Sequence, residues 1–132
     1  MKSLVTKNIW QVPGQFAKIY SHAFEVASPR RMLFISGQVG VKPDGSLEND
    51  FARQAEQAID NVEMLLAEAG MGLKNLVKLT YLLTRVTDQP ALGEIRRRRW
   101  ASAEPPAVTV MVVVALARPE YLIEIEAIAA EE

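Results

Sequence analysis

The sequence predicts an α+β domain, a mixed β-sheet with two helices packed on one face. Three observations predict it. The last quarter, from Pro105 to Ala130, holds two strong strand signals joined by a short Arg118-Pro119-Glu120 turn. The middle of the chain changes twice to helical spacing of its apolar residues. The elements then run strand, strand, strand, helix, strand, helix, strand, strand, which gives one-sided helices a sheet to share.

Composition sets the frame. The 132 residues suit one domain spanning 1–132, and a chain of that length buries roughly two-thirds of its unfolded surface without disulfides. With 49% hydrophobic residues and 7 each of Gly and Pro, it is an ordinary globular sequence. There is no cysteine, which excludes a disulfide framework, a thiolate nucleophile and a zinc–thiolate site. A single histidine, His22, argues against a histidine-built metal site or a Ser-His triad within one chain. No metal or cofactor is expected. No apolar run approaches bilayer length and the N-terminus lacks a signal-like apolar core, so a cytoplasmic location and no membrane partner are expected. A formal net charge of −1 argues against broad electrostatic binding of nucleic acid, leaving only a local basic cluster to consider.

Taken in order, Met1–Gly14 mixes polar and apolar positions, with Leu4, Ile9, Trp10 and Val12 as a short edge strand before the Pro13-Gly14 turn. Phe16–Val26 alternates loosely and Met32–Val41 is a clear strand, with Ser28-Pro29-Arg30-Arg31 as the hairpin loop between them. Lys42-Pro43-Asp44-Gly45-Ser46 has the composition of a tight turn. Phe51, Ala55, Ile59, Val62, Leu65, Leu66 and Ala69 then form one apolar helical stripe, with Asn49 or Asp50 as the cap and Gly70 as the left-handed stop. Asn75–Thr84 returns to strand. Asp88-Gln89-Pro90 opens a second helix with Pro in its first turn, and that helix stops before Pro105-Pro106. Ala107–Ala115, almost wholly apolar and valine-rich, reads as a strand deep in the sheet. In the last strand, Leu122–Ala129, Ile123, Ile125, Ala127 and Ala129 point one way, and Leu122, Glu124, Glu126 and Ile128 the other.

With both helices on one face, nothing in the chain covers the other. An apolar sheet face of that size predicts self-association, so a homo-oligomer is the direct physical expectation.

The chain resembles the RidA/YjgF family through Tyr20-Ser21, Phe34-Ile35-Ser36-Gly37-Gln38-Val39-Gly40, the helix with Gln54, Ala55 and Asn61-Val62, Ala69-Gly70, Val77-Lys78-Leu79-Thr80-Tyr81-Leu82, Pro106-Ala107 and Glu124-Ile125-Glu126-Ala127-Ile128-Ala129. The match spans about Tyr20 to Ala130. The resemblance implies a chorismate-mutase-like fold and a homotrimer that pairs the uncovered sheet faces in a central β-barrel, with small-molecule clefts between subunits. It also implies hydrolysis of reactive enamines and imines, such as 2-aminoacrylate, to a 2-keto acid and ammonia. That chemistry orients an electrophilic imine and a water molecule. Carried over residue by residue, Tyr20 covers the substrate, Ser36 and Gly37 line the cleft and Glu124 positions the water. Family members of the imine-deaminase type read Pro-Ala-Arg-Ser or Pro-Ala-Arg-Thr, where the arginine grips the substrate carboxylate. This chain reads Pro106-Ala107-Val108-Thr109. Val108 neither donates a hydrogen bond nor balances a carboxylate, so efficient turnover of small 2-imino acids is not expected.

Other signals carry two readings each. Glu124 and Glu126 serve either a cleft or an intersubunit pair, Glu124 leaning to the first and Glu126 to the second. Arg96–Arg99 with Trp100 resembles a nucleic-acid patch, but four consecutive helical residues point in four directions and make no basic stripe. Two or three of them are expected in solvent and one in an intersubunit ion pair; the sharper alternative is that one reaches the cleft in place of the missing arginine. Tyr20 and His22 share a face, and His22 is either a satisfied strand residue or a cleft residue able to titrate near neutrality. Thr109 is either a strand hydroxyl or a ligand contact. Trp10 and Met111 read as core or interface. Three functions remain: an imine or enamine hydrolase with an apolar anion subsite, a non-catalytic small-molecule-binding trimer, and an RNA-acting protein resting on the arginine cluster.

Overall fold

The computed structural model of the chain describes residues Met1–Glu132. Six strands form in chain order: β1 (Lys2–Leu4), β2 (Ala23–Glu25), β3 (Arg31–Val39), β4 (Leu76–Leu83), β5 (Ala107–Val112) and β6 (Ile123–Glu131), with helices α1 (Phe51–Glu68) and α2 (Gln89–Arg99). β1 and β2 make a separate antiparallel pair, Ser3 opposite Phe24. The main sheet runs β3-β6-β4-β5 and is mixed: β6 is antiparallel to both neighbours, while β4 and β5 are parallel. A parallel pair needs a crossover, and α2 supplies it. The α+β class and the placement of the helices are as the sequence predicts. No helix is long and apolar enough to cross a membrane.

α1 forms where the stripe predicts it. Asp50 caps the helix by accepting from the Arg53 amide at 3.1 Å. The far end closes with Gly70 at φ +70, the Gly70 amide donating to Ala67 O and the Met71 amide to Leu66 O. Phe51, Ala55, Ala58, Ile59, Val62 and Leu66 are buried and meet the sheet face that carries Leu79, Tyr81, Leu83, Ile123, Ile125 and Ala127. Gln54 is the polar member of this layer. Its amide donates to Glu48 O (2.8 Å) and Glu120 O (3.0 Å) and accepts from the Leu122 amide (2.9 Å), tying two loops to the helix.

The N-terminal part departs from expectation. Ile9, Trp10 and Val12 lie outside any strand, and Phe16–Val26 yields a 3-10 turn at Gly14–Phe16 and only the short β2. Trp10 is exposed (65%), not core. The loose alternation there reflects a loop that turns its aromatic residues toward one cavity rather than a strand hiding one face.

β5 also differs. It is the edge of the sheet, not its centre, and beyond it only Ser21 bridges to Ala107. Val110, Met111 and Val112 remain exposed within the chain. A valine-rich run reports a strand suited to burial, not which surface buries it.

The arginines of α2 likewise behave otherwise than expected. Arg99 pairs within the chain with Glu56 (2.7 Å), Asp60 (2.8 Å) and Glu63 (3.1 Å) on α1, and Arg98 pairs with Glu56. Trp100 Nε1 donates to Glu63 at 2.9 Å. Arg96 is buried. Only Arg97 is both exposed and without a carboxylate partner, because α1 presents an acidic row at i, i+4 and i+7 opposite the other side of α2.

Candidate functional site

A concavity of about 840 Å³ opens between the N-terminal loop, α2 and β5. The Ser21–Ala107 bridge, with the Ser21 amide donating to Pro106 O at 2.9 Å, pins the loop to the sheet edge. Residues on either side of a bridged position share the opposite face, so Tyr20 and His22 both line the cavity. His22 Nε2 lies 2.8 Å from the Trp10 carbonyl oxygen, which it meets as a donor, and the two rings sit edge to face with centroids 4.6 Å apart. Tyr20 stands edge-on to His22 at 5.8 Å and against Phe16 at 6.3 Å. The result is an aromatic wall on a loop, with each ring held by the next.

Val108 and Val110 line the same space from β5. They are paired with Leu79 and Tyr81 and therefore lie on the helix side of the sheet. The wall opposite belongs to α2, where Gly93, Arg96 and Arg97 face the cavity. Arg96 donates to Ile19 O at 2.8 Å and its guanidinium lies 4.7 Å from the centre of the Tyr81 ring. Burial lowers the Arg96 pKa, offset in part by Tyr81, and burial raises that of the fully enclosed Tyr81 phenol despite the charge of Arg96 beside it. Arg96 is thus occupied in holding the loop and the sheet together. Arg97 folds back across Gly93: a Cβ added at Gly93 would lie 3.3 Å from Arg97 Nη1. No carboxylate lines the cavity.

The other expected site residues lie on the opposite face of the sheet. Glu124 sits on β6 between Val39 and Leu82, on the side away from the helices. Its carboxylate rests directly over Gly37, where an added Cβ would be 1.8 Å from Oε1. Ser36 and Gly37 occupy a bulge in β3, between the Ile35–Ala127 and Gln38–Ile125 pairs, and that irregularity brings the glycine under the acid. Ser36 is exposed. Thr109 alternates away from Val108 and its Oγ1 accepts from Lys78 Nζ at 2.8 Å. Glu126 is exposed and in register with Thr80.

Within one chain, then, Tyr20 and Val108 share the cavity, and Ser36, Gly37 and Glu124 make a second cluster across the sheet, with Thr109 on that same face. Sequence reasoning left Trp10 as core or interface and did not single out Gly93. The Gly93–Arg97 spacing of one helical turn was the available signal for the arginine that reaches the cavity.

Comparison with known proteins agrees with this architecture. The family model described as Endoribonuclease L-PSP matches residues 13–131. A RutC family protein of Aquifex aeolicus is 38% identical over 112 residues, covering 83% of this chain and 87% of its own. The human 2-iminobutanoate/2-iminopropanoate deaminase is 35% identical over 133 residues, covering 98% and 93%. Among solved structures, the Rid protein YyfB of Yersinia pestis, of unknown function, superposes with a TM-score of 0.86 at 29% identity over 98% of both chains. The motif-by-motif resemblance, the shared fold and the near-complete coverage lead to one assignment: the chain belongs to the RidA/YjgF family.

Proposed function

We propose that the protein is a homotrimer that hydrolyses an enamine, an imine or a related reactive metabolite in clefts between subunits. The carrying observation is the seat of Glu124 on Gly37. A carboxylate held against a backbone bulge, half-exposed and in none of the chain's ion pairs, is suited to hold a water by accepting its hydrogen bond.

In this reading the two clusters belong to one cleft. They lie on opposite faces of a single sheet, so a second copy must bring its Glu124 and Ser36-Gly37 up to the Tyr20–Val108 cavity of the first. The uncovered face supports such an assembly: Phe34 is 70% exposed, Met32 47% and Met111 45%. Burial of those side chains around a central barrel would stabilise the trimer by roughly 1.5–3 kcal/mol for each one fully covered.

The chemistry asks little of the protein. Water held by Glu124 adds to the imine carbon, the water's proton passes to nitrogen, and collapse of the carbinolamine breaks the C–N bond to release ammonia and the carbonyl product. Tyr20 covers the substrate and the aromatic loop excludes bulk water. Val108 leaves the usual carboxylate subsite apolar. A charge-pair partner lost from a buried cleft costs on the order of 2–5 kcal/mol, or about 30-fold to several-thousand-fold in rate.

The test is to generate 2-iminobutanoate in situ and follow ammonia and 2-oxobutanoate release above the uncatalysed rate. Slow but Glu124-dependent turnover supports the proposal. A rate equal to that of the human deaminase removes the argument from Val108, and no turnover of any imine leaves a binding trimer as the better reading. The cavity of about 840 Å³ favours that second reading over an RNA-acting one, because Arg98 and Arg99 are engaged with α1 and Arg96 is buried.

A further inference from the structure

The Val108 cavity lacks its family arginine but does not lack a cation. Every arginine of this chain except Arg96 and Arg97 is in an ion pair with a carboxylate. Arg96 is buried and donates to Ile19 O. Arg97 is exposed, has no carboxylate partner and lines the cavity. Its guanidinium lies over Gly93, one turn back on α2, where the missing side chain leaves it room. Trp10, Phe16, Tyr20, Val108 and Val110 line the same cavity together with the polar Gln15, His22 and Gln89, and no acid of this chain does.

We propose that Arg97 is the anion anchor of this cavity, and that it selects carboxylates attached to an aromatic or large branched body in place of small 2-imino acids. Within one chain no carboxylate lines the cavity or pairs with this guanidinium, so apart from the Glu124 that the proposed second copy brings to hold the water, it is left to bind a planar anion through parallel hydrogen bonds. In a single chain the cavity measures about 840 Å³, toward the upper end of ligand pockets, roughly 300–1,000 Å³, so a second copy can close part of it and still leave room for a body larger than a four-carbon imino acid. The aromatic and valine side chains on one wall reward an apolar body, while Gln15, His22 and Gln89 add polar positions at the remainder of the lining.

This inference rests on the reading of the cavity as part of the catalytic cleft, and its test is therefore binding rather than turnover. Isothermal titration of the whole protein with 3-phenylpropanoate, its neutral amide and butanoate is the experiment. The expected result is that 3-phenylpropanoate binds about 10- to 100-fold more tightly than the amide and more tightly than butanoate. In Arg97→Gln the acid and amide should bind alike, with Arg97→Lys between. Gly93→Ala is a second probe, since it moves the guanidinium without removing it and should weaken the acid selectively. Equal affinities of acid and amide in the unaltered protein, or an undiminished preference in Arg97→Gln, would overturn the proposal. Arg97-dependent binding without turnover of any imine would sustain it while removing the hydrolase reading. Turnover without Arg97-dependent binding would do the reverse.

Discussion

Replacing Gly37 with alanine separates positioning of Glu124 from folding. Gly37 does not adopt a positive φ, so alanine takes the backbone without strain. The new Cβ would meet Glu124 Oε1 at 1.8 Å and Cδ at 2.6 Å. Ordinary contact begins near 3.4 Å, so the carboxylate must retreat by about 1.6 Å. Glu124 is half-buried and the clash falls on the far end of its flexible side chain. Stability should therefore stay within about 1 kcal/mol, because alanine also reduces the entropy of the unfolded chain by about 0.4–1 kcal/mol. Activity should not survive. Misplacing a catalytic group by about 1 Å costs on the order of 100-fold. Imine hydrolysis and thermal melting on the same preparations read the two effects separately. Glu124→Gln should lose a similar factor, and the double variant little more, since both changes act on one group. Full activity in Gly37→Ala would refute the assignment of Glu124 as the group that holds the water.

Gln54→Leu orphans three backbone groups, at Glu48, Glu120 and Leu122, and should lower stability by about 2–4 kcal/mol in denaturant unfolding. Phe34→Asp places a charge on the uncovered face, where Phe34 is 70% exposed in the single chain; light scattering should show a smaller assembly with secondary structure unchanged. Burial pushes the Glu56 pKa up, but hydrogen bonds from Arg98 and Arg99 outweigh it and hold the carboxyl below its ordinary 4.5. A depressed folded pKa gives stability that is present above about 4.5 and lost as pH falls toward the folded value. Melting temperatures between pH 6 and pH 3, taken as roughly spanning that window, should fall less steeply in Arg99→Gln than in the unaltered protein.

Much of this molecule was legible in its residues, because the strong signals were local and periodic. α1 announced itself through its stripe, Asp50 and Gly70, and the structure uses each of them. β6 alternated as written, placing Glu124 and Glu126 away from the helices. What was not legible depended on neighbours far along the chain. The valine content of β5 described a strand fit for burial, whereas its position at the edge is set by which strands pair. The loop from Trp10 to His22 has no period to read; its shape follows from the Ser21–Ala107 bridge and a chain of aromatic contacts. The four arginines looked alike in sequence and have three different environments, decided by the acids of α1, the carbonyl of Ile19 and the gap at Gly93. Val108 stood out in the sequence only against the resemblance, and which of the four arginines lines the cavity without a carboxylate partner came from the fold.

We have proposed that imine chemistry takes place here in a cleft where Val108 stands in the position of a carboxylate-binding arginine. Val108→Arg tests it most directly, measured as hydrolysis of 2-iminobutanoate generated in situ. Val108 lines the cavity from the sheet edge, so the longer side chain has open space to enter. Val108→Arg should gain about 30-fold or more in rate over the unaltered protein, and adding Glu124→Gln should abolish the gain. An unchanged rate in Val108→Arg, or a gain that survives Glu124→Gln, would contradict it.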